Sequence, residues 1–117
     1  MITGLHAIMF SAQAEKVRAF LADVLDLPAV DAGGGWLIFA MPPAELAVHP
    51  TDGDAPRHEL YLMCDDIEAT LADLRSKRVE IAREPADQGW GILAAIRLPD
   101  GEELPIYQPR HPTAHQA

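Results

Sequence analysis

Two hydrophobic periods alternate along this chain, one of two residues and one of three to four, and they divide it into strands and helices. The clearest stretch lies between residues 57 and 81. Leu60, Leu62 and Cys64 share one face if the backbone is extended, which predicts a strand over 59–64. Asp65 and Asp66 end that run, and either can cap a helix. Asp65 with Glu68 has capping-box spacing, with Asp in place of Ser or Thr. Ile67, Thr70, Leu71 and Leu74 fall on one helical face and predict a helix over 66–77. Val79 and Ile81 open a strand over 79–83. A turn at 85–89, a strand at 90–98, a turn at Pro99-Asp100-Gly101 and a last strand at 103–108 complete the half. The polar tail 110–117 carries His111 and His115, which read as tail residues rather than ligands.

The N-terminal half has the same order. Residues 5–10 form an apolar strand. Val17, Phe20, Leu21, Val24 and Leu25 predict a helix over 14–27, which Pro28 stops. A short strand at 29–30, a glycine turn at 31–35, a strand at 36–41, a Pro42-Pro43 turn and a strand at 45–49 follow. Residues 51–56 are dense in turn formers and read as a linker. The chain is therefore expected to be α+β, with two βαβββ modules at 1–50 and 57–109 joined by 51–56. A repeat of about 50 residues indicates duplicated units that share a core. One helix per module would cover the outer face of a cupped mixed sheet, and the other faces would enclose a cleft. Pro105 lies inside the last strand and cannot donate to a ladder, so a bulge or break is expected there.

Composition narrows the partners. With 117 residues, 49% of them hydrophobic, the chain can bury a core as one domain. A net charge of −9 without any basic cluster makes nucleic acid and anionic membranes poor partners. The single cysteine, Cys64, excludes an internal disulfide and reads as a small buried apolar residue. The first ten residues lack a basic leader segment, and no apolar run reaches the roughly 18 residues of a membrane span, so a cytoplasmic location is expected.

Strand alternation assigns a cleft face. It groups His6 with Ile8 and Phe10, Glu45 with Ala47 and His49, Glu59 with Tyr61 and Met63, and Glu103 with Pro105 and Tyr107. That face is more polar than a plain core. His6 can ligate a metal or move a proton, Glu59 can orient it or act as a base, and Tyr107 can donate to an oxyanion. Phe10, Trp36, His49, Tyr61, Met63, Trp90 and Glu103 are candidate ligand-binding residues. Each has a plainer reading. His6 serves equally as a hydrogen-bonded pocket residue, and Glu59 as the partner of Arg57 or Arg97. His49, Glu45 and Glu103 suit a solvated edge, and the aromatic residues suit a core. There is no G-x-S-x-G elbow, H-E-x-x-H, C-x-x-C or dinucleotide fingerprint, and the triple glycine is not followed by a phosphate-loop Lys.

The duplicated order, with ELYLMCDDIEATLADL, DQGWG and LPDGEELPIYQP, resembles the vicinal oxygen chelate superfamily over residues 2–109. This is the glyoxalase, bleomycin-resistance and extradiol dioxygenase fold, and the chain looks most like its small bacterial glyoxalase-like or dioxygenase-like members. That fold hosts isomerases, dioxygenases, thiol transferases and pure binders. The resemblance implies metal ligands on the first and last strands of each half. His6 and Glu59 occupy two such places, and His58 is one residue out of phase. Ala47 and Pro105 stand where a Glu is expected, and neither has a donor side chain. The expected function is thus binding of a small organic ligand in the cleft, with a degenerate metal site. One alternative is a dioxygenase or lyase using Fe²⁺, Mn²⁺ or Zn²⁺ held by His6, Glu59 and a third group such as His49 or Glu103. A second alternative is a partner-binding regulatory module. The resemblance also implies a homodimer.

Overall fold

A computed structural model describes residues 6–47 and 58–112. Helix α1 spans Ala14–Asp23, and strands β1 (Ala29–Asp31) and β2 (Leu37–Phe39) pair antiparallel beyond it. Strand β3 (Leu62–Met63) leads into helix α2 (Ile67–Ser76). Strands β4 (Ile81–Asp87), β5 (Gly91–Arg97) and β6 (Glu103–Pro109) follow. The last four strands form one sheet in the order β3-β6-β5-β4, with β3 parallel to β6 and the other neighbours antiparallel. Two helices on mixed sheets make the fold α+β, and 62–109 run βαβββ.

Helix α2 forms where the apolar period says it should, and side chains satisfy its N-terminal end. Asp66 accepts from the Ala69 N–H at 3.0 Å, and the Gln108 side chain accepts from the Ile67 N–H at 3.0 Å. These two bonds use donors that the first helical turn leaves without a partner. Ile67, Leu71 and Leu74 point inward onto Ala94, Ile96, Leu104 and Ile106, the even-numbered side of β5 and β6. Phe20 of α1 joins the same cluster, and Leu21, Val24 and Leu25 pack against it. The core therefore sits between the helices and one face of the sheet. The odd-numbered face of β6 is left for other work.

Several element boundaries differ from expectation, each for a hydrogen-bonding reason. The helix expected over 14–27 ends at Asp23. Its last turns loosen, with Leu27 N–H closing on the Leu21 carbonyl and Asp26 left-handed at φ 56°. Asp23 and Asp26 bring negative charge to the C-terminal end, where the helix dipole disfavours it. The strand expected over 59–64 shrinks to Leu62–Met63. Cys64 N–H donates to the Tyr107 carbonyl at 2.9 Å, so odd residues of β6 turn their backbone groups toward β3. Pro105 is the next such residue, and it has no N–H to offer. The β3–β6 ladder accordingly begins only at Leu62.

Pro105 does not produce the expected bulge. The β5–β6 register runs unbroken from Gly91↔Pro109 to Arg97↔Glu103, with Ala95 opposite Pro105. The irregularity falls instead on the edge strand β4, between Ile81 and Arg83 and between Arg83 and Ala86, where Pro85 is tolerated. β4 continues through Pro85 to Asp87, so the turn expected at 85–89 comes later, at Gly89 (φ 85°), whose N–H donates to the Asp87 carboxylate. Residues 6–10 and 45–47 are not strands, because an extended segment becomes one only when a neighbour takes up its hydrogen bonds. The rest of the segments expected over 5–10 and 45–49, and the 51–56 linker, lie outside the described residues.

Candidate functional site

The odd-numbered face of β6 carries the aromatic cluster. Met63 pairs with Tyr107 across β3 and β6, and Leu93 pairs with Tyr107 across β5 and β6, so these side chains share a face. Tyr107 is its centre and is 9% exposed. Trp90 meets the Tyr107 ring edge-on at 5.2 Å between centroids, and Tyr61 does so at 6.1 Å. Both partners are themselves substantially exposed, so the cluster is a surface wall with a buried centre. Edge-to-face pairs of this kind prefer this separation and fix ring orientation.

Two polar groups converge on that wall. Glu59 accepts from the Tyr61 hydroxyl at 3.4 Å. His111 lies 3.1 Å from the Tyr107 hydroxyl through Nε2, with its ring tilted against the phenol. Its Nδ1 is 2.8 Å from the Pro112 carbonyl oxygen, which can only accept. Nδ1 therefore carries the proton in the neutral ring, and Nε2 accepts from the Tyr107 hydroxyl. Burial pushes the Tyr107 phenol above its usual range, and the negative charge of Glu45 raises it further. Tyr107 is thus held as a neutral donor, able to hand its hydrogen bond to a ligand atom in place of His111.

The other candidates lie elsewhere. Glu103, at the far end of β6, is bound by Arg83 at 2.9 Å and lies 4.0 Å from Arg97. Trp36 is 71% exposed and lies under the Arg18 guanidinium at 5.8 Å. Phe10 is 93% exposed. His6 is exposed, with no hydrogen bond or ion pair to another described residue. His49 lies outside the described residues. The Arg97 alternative for pairing Glu59 is taken up differently, since Arg97 binds Glu80 at 2.7 Å. Cys64 is half-buried against the core, and burial raises its thiol above the ordinary range.

Among the described residues, the donor set does not fit a divalent ion of the expected kind. Ala47 and Pro105 offer no side-chain donor, and Glu103 is engaged by arginines. Among the described residues, no three His, Cys, Asp or Glu side chains gather into a metal-holding group. His111 is the participant that strand reading missed. Continuing the odd-residue alternation of β6 through Pro109 reaches it, but the strand was expected to end at 108.

The glyoxalase/bleomycin resistance protein/dioxygenase superfamily model matches residues 4–106. Among solved structures, an antibiotic-binding protein from Streptomyces sp. CB03234, TnmS3, is 25% identical. The match covers 84% of this chain and 88% of that one, with a TM-score of 0.61. A superfamily member from Sphaerobacter thermophilus is 20% identical over 92% and 98% of the two chains, with a TM-score of 0.65. A lactoylglutathione lyase from Agrobacterium tumefaciens is 14% identical over 91% and 92%, with a TM-score of 0.65. No curated protein matches the chain by sequence. With the family model spanning nearly its whole length and the fold shared with these structures, the chain belongs to the glyoxalase/bleomycin resistance protein/dioxygenase superfamily.

Proposed function

We propose that this chain binds a flat organic molecule against the Tyr61–Tyr107–Trp90 wall, without a metal centre of the superfamily's usual kind. The observation that carries the reading is the buried Tyr107 phenol, walled by two exposed aromatic rings on the sheet face opposite α2. Flat rings stack on such walls with little loss of side-chain freedom, and one oriented donor sets their direction. The relative at 25% identity is an antibiotic-binding protein, which supports a small organic ligand. Free Cys64 suits a reducing compartment, and the reading places the chain in the cytoplasm. No helix among the described residues is long and apolar enough to cross a membrane.

A second copy of the chain belongs to the same proposal. Phe10, Ile8, Leu46 and Trp36 are all more than half exposed, apolar side chains that a partner would cover. Light scattering at high micromolar concentration is expected to give twice 12.7 kDa, and a species of 12.7 kDa would overturn the dimer.

The ligand test is tryptophan-fluorescence quenching by a panel of planar polycyclic antibiotics. Saturable binding is expected, weakened about fivefold or more in Trp90→Ala and in Tyr61→Ala, as aromatic stacking of about 1–3 kcal/mol requires. Binding that ignores both substitutions would refute the site. Metal-dependent turnover of a glutathione hemithioacetal or a catechol, lost in His6→Ala, would instead support the lyase or dioxygenase reading.

A further inference from the structure

We infer that a second ligand site lies on the helix side of the molecule, in the groove between the end of α1 and the α2–β4 turn. It takes a small molecule with an apolar body and a carboxylate head, held by Arg78. The groove has a volume of about 310 Å³. That is at the small end of ligand sites, which run from about 300 to 1,000 Å³. Phe20, Val24, Val79 and Leu98 provide its apolar surface, and Lys77, Arg78, Glu80 and Arg97 line its rim, where Arg97 is paired with Glu80 and Lys77 with Asp26 and Asp73, so that Arg78 is the cation left over.

Arg78 is what distinguishes this groove from an ordinary crease. Helix α2 ends in a Schellman motif: Val79 N–H donates to the Leu74 carbonyl at 3.0 Å, and Arg78 N–H to the Arg75 carbonyl at 2.9 Å. Arg78 therefore occupies the left-handed position, at φ 66°, where glycine is the usual residue. An arginine there carries a conformational cost that glycine would not.

Its guanidinium is also uncommitted. Arg75 binds Glu84, Arg83 binds Glu103, Arg97 binds Glu80, Arg110 binds Asp87, and Arg18 covers Trp36. Among the described arginines, Arg78 is the one without a carboxylate, carbonyl or ring partner. Lys77 is held by Asp26, Asp73 and the Val24 carbonyl. A free guanidinium fork beside an apolar floor matches a carboxylate bidentately while the ligand's chain lies over Phe20 and Val24.

The test uses octanoate as the probe, with octanol and octylammonium as controls, followed by calorimetry and by amide NMR shifts. Octanoate is expected to bind saturably and shift the Val24, Val79 and Leu98 amides, but not Tyr107. Arg78→Gly suits the left-handed backbone, so its unfolding midpoint should equal or exceed the parent's, while octanoate affinity falls about fivefold or more, the loss expected of a charged hydrogen-bonded pair. Tyr107→Phe should leave octanoate binding unchanged. Absence of saturable binding, a smaller loss in Arg78→Gly, equal binding of octanol or octylammonium, or shifts centred on Tyr107 would each overturn the site. This outcome is independent of the aromatic wall, because the two sites lie on opposite faces of the sheet.

Discussion

Replacing Gly91 with alanine should test how rigidly the aromatic wall is built. Gly91 opens β5 opposite Pro109, and its φ is not in the left-handed region, so its backbone would accept any residue. On backbone grounds alone, Gly91→Ala should stabilise by about 0.4–1 kcal/mol, through a less disordered unfolded chain. Space decides otherwise. A Cβ there would lie 2.8 Å from the Gln108 carbonyl oxygen and 2.9 Å from Tyr107 Cδ2. The carbonyl belongs to a strand in unbroken register, and the ring is confined by Trp90 and Tyr61, so neither can retreat cheaply. Overpacking of this kind costs about 1–3 kcal/mol, which leaves a net loss of about 1–2 kcal/mol after the backbone gain. For a domain of this size the melting midpoint should drop by about 4 °C per kcal/mol. Urea denaturation measures the loss, and near-UV circular dichroism reads the displaced tyrosine. Gly89→Ala is the control: its φ of 85° strains any side chain, but nothing lies within 4 Å of the new Cβ. It should lose stability with the aromatic signal intact. A Gly91→Ala protein as stable as the parent, with an unchanged near-UV spectrum, would refute the reasoning.

Leu71, on the inner face of α2, is fully buried, so Leu71→Ala should cost about 2–5 kcal/mol in urea denaturation, while an exposed-face change such as Ala72→Ser should cost little. Asp100 is held below the usual carboxylate range, first by the Ser11 hydroxyl and then by the Glu102 N–H. Its contribution is present above the unfolded value of about 3.9 and is lost as pH falls through the lower folded value, so the deficit of Asp100→Asn should be seen at neutral pH and close in acid. Tyr107, raised by burial and then by Glu45, should ionise after free tyrosine, at about pH 10, in a 295 nm absorbance titration. Stability should fall as pH rises from there through the folded value, and Glu45→Gln should remove only the smaller part of the shift.

What the sequence disclosed depended on how local the deciding interaction was. Helix α2 was legible to within a residue because its cap, its apolar face and its C-terminal turn all lie within 65–79. β5 and β6 were legible because two long runs rich in apolar residues meet across a tight Pro99-Asp100-Gly101 turn. β3 was not, since its length depends on the missing N–H of Pro105, 43 residues after Leu62. The site divides in the same way. Tyr61, Glu59 and Tyr107 follow from strand alternation, and their meeting follows from β3 lying parallel to β6. Glu45 acts on Tyr107 across half the chain, and nothing in the local pattern of 42–47 announces that.

The alternation within β6 also separates the residues that hold the core from those that build the aromatic wall. Leu104 and Ile106 face α2 and lie in the core, and Gln108, on the same side, holds the first turn of that helix. Pro105 and Tyr107 face the other way. Shifting β6 by one residue against β5 would exchange the two sets, sending a phenol into the helix layer and a leucine onto the aromatic wall. The seven consecutive pairs of the β5–β6 ladder prevent that slip. Within a fixed register, the odd positions can change chemistry while the core stays whole. Pro105 is a case in point. It sits where superfamily resemblance leads one to expect a metal-binding carboxylate, yet Ala95 still pairs with it and Leu104 and Ile106 remain buried on either side. A fold arranged this way can carry a metal centre, an aromatic wall or neither on its odd face without altering what holds it together. For this chain, the binding we propose therefore rests on the wall of Tyr61, Trp90 and Tyr107 rather than on the fold.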